Sequence, residues 1–122
     1  MSQQEALNNM LQSIADNIDG FIGASVVDMT TGMAMASLSH QSDFDLDIAA
    51  AYNAEMVKAK VKTMQALNIT SGLQDMLITL DDQFHLIRML NEGEFVYAAV
   101  SSASTNLAML RAVVNSNIKK LG

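Results

Sequence analysis

The sequence predicts an α+β domain in the order helix, two strands, helix, three strands, helix (αββαβββα). Three observations carry this. The stretch from Asp43 to Asn68 contains neither Gly nor Pro and has the makings of one long helix. Around it, apolar runs of strand length are separated by clusters of turn formers. One of these runs, Phe84 to Leu90, is largely apolar on both of its alternating sides, as in a sheet covered by helices on both faces.

Ser2 and Glu5 have the spacing of a capping box, and Leu7, Met10, Leu11, Ile14 and Ile18 then recur at helical spacing. A first helix is therefore expected over residues 3 to about 17, ended by Asn17 to Gly20, with Gly20 able to turn left-handed. Phe21 to Asp28 and Met33 to Ser39 read as strands joined through Thr30-Thr31-Gly32 into a hairpin. Both are rich in small residues (Gly23, Ala24, Ser25, Ala34, Ala36), which would let a helix backbone come close.

The central helix is expected from Asp43 to Asn68. Asp43, Asp45 and Asp47 favour its positive end, and Lys58, Lys60 and Lys62 lie toward its negative end. At roughly 100° per residue its apolar residues make two stripes. Leu46, Ala50, Val57, Val61 and Met64 line one; Ile48, Tyr52, Met56, Ala59 and Leu67 line the other. Asn53 and Lys60 lie between them on one flank, and Asp47, Glu55, Lys58, Lys62 and Gln65 form the wet face. A helix covering one sheet needs only a single stripe. The surplus suggests a second copy of the same helix as cover; burial of both stripes inside one chain is the alternative.

Leu73 to Leu80, Phe84 to Leu90 and Phe95 to Val100 read as three further strands, with turns at Asp81-Asp82-Gln83 and Asn91-Glu92-Gly93-Glu94. Ser101, Ser102, Ser104 and Thr105 are candidate caps for a closing helix in which Leu107, Leu110, Val114, Ile118 and Leu121 recur, ending on Lys119 and Lys120.

At 122 residues, with 50% hydrophobic and 16% charged, the chain reads as one folded domain over residues 1–122. A net charge of −6 argues against nucleic acid and against an anionic membrane surface. No apolar run is long enough to span a bilayer, and MSQQEALNN lacks a signal-peptide pattern. With no Cys there is no disulfide or thiolate chemistry, and a cytoplasmic setting fits.

No catalytic constellation emerges. His40 and His85 lack the paired spacing of a metal site. Asp43, Asp45 and Asp47 lack the central Gly and distal Glu of a calcium loop and read better as helix-start acids. Asp81-Asp82 reads as a solvated turn, and the serines near 101–104 have no nucleophile-elbow pattern. Arg88 and Arg111, the only arginines, could each act as a finger toward a phosphate, but both lie in regular elements where a local ion pair is the simpler reading. No metal, cofactor or catalytic residue is therefore expected.

FIGASVVDMTTGMAMAS after a first helix, the long central helix, the strand triplet and a closing SASTNLAMLRAVV together resemble the roadblock / dynein light chain family, from about Leu7 to Leu121. Its most specific parts are Gly23, Ala24, Val26, Val27, Asp28 and Gly32 in the hairpin, and Asn106-Leu107 with Leu110-Arg111 in the last helix. Ala108 stands where the family most often has Gly. The resemblance implies a profilin-like architecture: a five-stranded antiparallel sheet with the first and last helices on one face and the central helix on the other. It implies a homodimer joined through the central helices and the following edge strand. On this sequence that interface would use Leu46, Ala50, Asn53, Val57, Lys60, Val61 and Met64, with Leu73, Asp75, Leu77 and Thr79 on the strand. Asp47, Glu55, Lys58 and Lys62 would be left to face a partner. It further implies a non-enzymatic regulator or adaptor of a small Ras-like GTPase, some prokaryotic relatives stimulating GTP hydrolysis. A structural dimerisation module of the light-chain type is the alternative, and a small-molecule sensor using room near the Gly- and Ala-rich hairpin a third reading.

Overall fold

The computed structural model describes residues 2–121. Its elements are α1 (Gln3–Asp16), β1 (Phe21–Asp28), β2 (Met33–Ser39), α2 (Leu46–Ala66), β3 (Asp75–Thr79), β4 (Gln83–Met89), β5 (Glu94–Ser101) and α3 (Leu107–Leu121). The strands form one five-stranded sheet in the order β2-β1-β5-β4-β3, with every neighbouring pair antiparallel. The element order and the antiparallel sheet are those anticipated from the sequence.

The two central strands set the architecture. In β1, Ile22 to Val27 are all buried, and in β5 so are Phe95 to Val100. Alternate residues of such strands point to opposite faces, so both faces need cover. On one face Ala24, Val26, Leu86, Val96 and Ala98 pack with Leu11 and Ile14 of α1 and Leu110 and Val114 of α3. On the other, Val27, Ile87, Phe95 and Ala99 pack with Leu46, Ala50, Ala54 and Val57 of α2. The small hairpin residues make room for that helix: a Cβ added at Gly23 would come within 3.4 Å of the Leu46 side chain. The space near the hairpin is thus filled by α2.

Local chemistry fixes the ends. Ser2 Oγ accepts from the Glu5 amide at 3.1 Å, starting α1. Gly20 and Gly32 adopt φ of +77° and +71° in the turns that follow α1 and β1, which favours glycine there. The helix α2 starts later than Asp43: the Asp45 carboxylate accepts from the Asp47 and Ile48 amides at 3.0 and 3.1 Å, and a cap residue is itself outside the helix. Asp43 and Phe44 therefore belong to the connection. The helix ends in a Schellman turn, with Asn68 at φ 59° and bonds from Ile69 N to Met64 O and from Asn68 N to Gln65 O.

Two further element starts differ from expectation by more than a single residue. The strand β3 begins at Asp75, not Leu73, because Leu73 turns into the apolar layer beneath α2. None of the four anticipated hydroxyl residues caps α3. Asn106 does so, its Oδ1 accepting from Met109 N at 2.8 Å while Leu110 N bonds its carbonyl at 3.1 Å. Asn106→Ala is accordingly expected to cost about 1 kcal/mol of stability in urea denaturation, with Ser104→Ala near neutral.

Candidate interaction surface

A helix is about 10–12 Å across and strands lie about 4.8 Å apart, so one helix covers little more than two strands of a five-stranded face. The helix α2 lies chiefly over β1 and β2. At its C-terminal end an open cleft of about 610 Å³ remains, lined in part by Val61, Met64, Leu73 and Met89. In β3, Met76 and Ile78 look toward this same layer and are only partly buried.

The two stripes of α2 have separate fates. Leu46, Ala50 and Val57, anticipated at an interface with a second copy, are at most 7% exposed and are consumed within the chain against the sheet. Val61 is half-buried against the same layer, Met64 lines the cleft beside it, and Lys60 is exposed. The second stripe is open: Ile48 is 58% exposed, Tyr52 75% and Leu67 63%, with Ala59 exposed between them. Large apolar side chains aligned in this way mark an interaction surface more than an isolated exposed residue does.

On β3, Asp75 and Leu77 turn to the opposite face. Asp75 is held by Arg111 of α3 in a bidentate pair, Nε to Oδ2 at 3.0 Å and Nη2 to Oδ1 at 2.9 Å. Leu77 packs on the α1/α3 layer and Thr79 is exposed. Met76 and Ile78, which the sequence reading did not single out, share the side of α2; strand parity alone would have separated the two sets. Arg88 donates from Nε to Asn115 Oδ1 at 2.8 Å and from Nη1 to the Gln74 and Met89 carbonyls at 3.1 Å. Both arginines are thus engaged within the chain.

On the wet face of α2, Asp47 and Glu55 are exposed, as is Lys62, and Lys58 pairs with Glu55 at 3.5 Å. Exposed pairs of this kind contribute little stability. Between α2 and the sheet lies a small polar network. Gln83 Oε1 accepts from His85 Nε2 at 2.8 Å, leaving Nδ1 to accept from the Tyr97 hydroxyl at 3.1 Å. Burial pushes the Tyr97 phenol up to about 12, opposed by a hydrogen bond with the Asn53 side chain, and pushes His85 below its ordinary value. Asn53, anticipated at the interface, is therefore turned partly inward. No helix among the described residues is long and apolar enough to cross a membrane.

No protein-family model and no curated protein matches the sequence. Solved structures do match over nearly the whole chain. MglB of Myxococcus xanthus superposes with a TM-score of 0.87 at 11% identity, covering 99% of this chain and 88% of that one. The gliding protein MglB of Thermus thermophilus gives 0.82 at 14%, covering 99% and 90%. A Roadblock/LC7 domain from Streptomyces avermitilis gives 0.81 at 11%, covering 94% and 93%. The chain has the roadblock fold.

The environment of His85 predicts a pH dependence. Its folded pKa lies below the unfolded value of 6.5, so the unfolded chain binds more protons in between. Stability should fall as pH drops from 7 through 6.5, the loss levelling off below the lowered folded pKa. Urea midpoints measured at several pH values should show this component in the parent chain and not in His85→Gln.

Proposed function

We propose that this chain is a non-catalytic homodimeric regulator or adaptor that binds a small Ras-like GTPase, acting on its GTP hydrolysis. One observation carries the dimer. The helix α2 spends one apolar stripe on its own sheet and leaves Ile48, Tyr52 and Leu67 open. On the same face of the sheet the edge strand β3, paired on one side only, leaves Met76 and Ile78 half-buried. Two copies related by a two-fold axis would bury those stripes against each other and cover the cleft at the end of α2. The two β3 strands would run side by side, so that Leu73, Asp75, Leu77 and Thr79 contribute chiefly through backbone and neighbouring packing. Lys60 would lie at the rim of this seam, with Val61 and Met64 beneath it.

The GTPase half rests on the roadblock resemblance. Asp47, Glu55, Lys58 and Lys62 remain on the wet face of α2 for such a partner. Because Arg88 and Arg111 are both engaged in holding β3 and β4 to α3, we propose that any stimulation works by repositioning the GTPase's own catalytic groups, with no arginine supplied from this chain.

Mass measured in solution, alone and with a small GTPase in its GTP-like state, tests both halves. A dimer is expected alone, and two copies per GTPase in the mixture. A monomer would remove the dimer; a dimer that ignores the GTPase and leaves GTP turnover unchanged would leave only the dimerisation-module reading. Tyr52→Asp should weaken the dimer on the order of a hundredfold or more, since it buries a charge in an apolar seam, while the circular dichroism spectrum stays unchanged.

A further inference from the structure

The sheet has a second edge, β2, at the end opposite β3. Natural edge strands are usually guarded by Lys, Pro, charge or a bulge. The irregularity in the β1/β2 ladder falls between Val26 and Val27, which oppose Ala36 and Ala34, so Met35 is the extra residue. Beyond it the ladder is regular: Ala36, Ser37, Leu38 and Ser39 pair in order with Val26, Ser25, Ala24 and Gly23, and His40 N adds a bond to Ile22 O at 2.9 Å. That regular half has no guard. Residues 29–42 contain no Asp, Glu, Lys, Arg or Pro. Helix α1 packs on β2, as does α2, so the strand is flanked by helices while its outer edge stays open.

The charge around this edge is one-sided. Residues 1–57 carry eight carboxylates and no Lys or Arg, whereas residues 58–122 carry five carboxylates and all seven cations. The first set builds the β2 end of the molecule: α1, the β1/β2 hairpin and the first half of α2. Exposed Asp43, Asp45 and Asp47 follow the Ser39 end of β2, and Asp28 pairs with Met33 at its other end. Added strands gain affinity from backbone hydrogen bonds and selectivity from what flanks them. Lys58, on Glu55, is the one cation that a salt bridge joins to this set among the described residues. A field of net negative sign selects a positive partner and speeds its arrival.

We propose that the open edge of β2 docks an extended, lysine- or arginine-rich segment of a partner protein as a sixth, outer strand along Ala36–Ser39. This surface uses neither β3 nor the open stripe of α2. It goes beyond the GTPase reading and holds for a monomer or a dimer, a dimer offering two such edges.

The test uses three short labelled peptides: one alternating Lys and Val, its Glu-Val counterpart, and the Lys-Val peptide N-methylated on alternate amides. Fluorescence anisotropy should show the Lys-Val peptide binding, weakened on the order of tenfold when salt rises from about 50 to about 300 mM. The other two peptides should not bind. Ser37→Lys, at an exposed mid-edge position, places a natural guard on the strand; it should lower binding about tenfold or more with unchanged Tm and mass. Amide shifts on titration should concentrate at Ala36 to His40. Equal binding of the Lys-Val and Glu-Val peptides, or indifference to both N-methylation and Ser37→Lys, overturns the proposal. So does self-association beyond a dimer that Ser37→Lys removes, since the edge would then be filled by another copy of this chain. Failure of the GTPase reading shows separately, in the mass of the GTPase mixture, and leaves these signals untouched.

Discussion

A sheet whose central strands are apolar on both sides cannot sit against solvent on either, and most of this molecule follows from that constraint. Burial of a Val, Leu or Phe side chain is worth about 1.5–3 kcal/mol, and β1 and β5 place such residues on both faces. Three helices are available for two faces. Two of them, α1 and α3, share one face; the other receives α2 alone. Close approach is obtained with small residues on both sides of the contact, Gly23 and Ala34 in the hairpin and Ala50 and Ala54 in the helix. Width cannot be supplied in the same way. The asymmetry of two helices against one leaves the β3 side of the α2 layer thinly covered, a shortage set by the layer arrangement more than by any single residue.

Much of the fold was legible because its ends are marked by local chemistry: a capping box at Ser2, left-handed glycines at 20 and 32, acids before α2. Where the sequence reading missed, several residues competed for one role. Asp43 and Asp45 are equivalent on paper as helix starts, and five of the six residues from Ser101 to Asn106 are polar and precede or include the cap of α3. Only the geometry of the turn chooses Asn106. The candidate site was half legible. A helical wheel gives the angle between two apolar stripes, not which of them points inward. The signal was the size of the side chains: Ala50, Ala54 and Val57 suit a close approach to small strand residues, whereas Ile48, Tyr52 and Leu67 do not. Alternation separates Asp75, Leu77 and Thr79 from Met76 and Ile78, but with Leu77 on one side and Met76 and Ile78 on the other, each side has an apolar residue to bury against a helix layer. The His85–Tyr97 contact joins neighbouring strands and needed the register.

The two arginines show how a residue type with a functional reputation is absorbed by structure. The strand β3 has one neighbour in the sheet, and a five-residue edge held by a single ladder is weak. Arg111 binds its first residue from α3, and Arg88 takes the carbonyl of Gln74 just before it while holding Asn115. Together they pin the start of the edge strand to the helix layer on the far side from α2. Of the positive charges in the C-terminal half, that of Arg111 is in this way matched within the chain by Asp75.

The pairing of β1 with β5 has a consequence for how the protein comes into being. The middle of the sheet is a seam between strands from opposite parts of the chain, Phe21 lying beside Val100. During synthesis the β1/β2 hairpin emerges before β5, with one of its long edges unpaired and both faces bare of their full cover. It must wait until β5 has been made. Contacts between such distant segments slow folding, and an unfinished apolar sheet is open to misassociation meanwhile. Completion of this sheet is therefore a cooperative event that waits for β5, and the unfinished hairpin is the stage at which a chaperone would have most to shield.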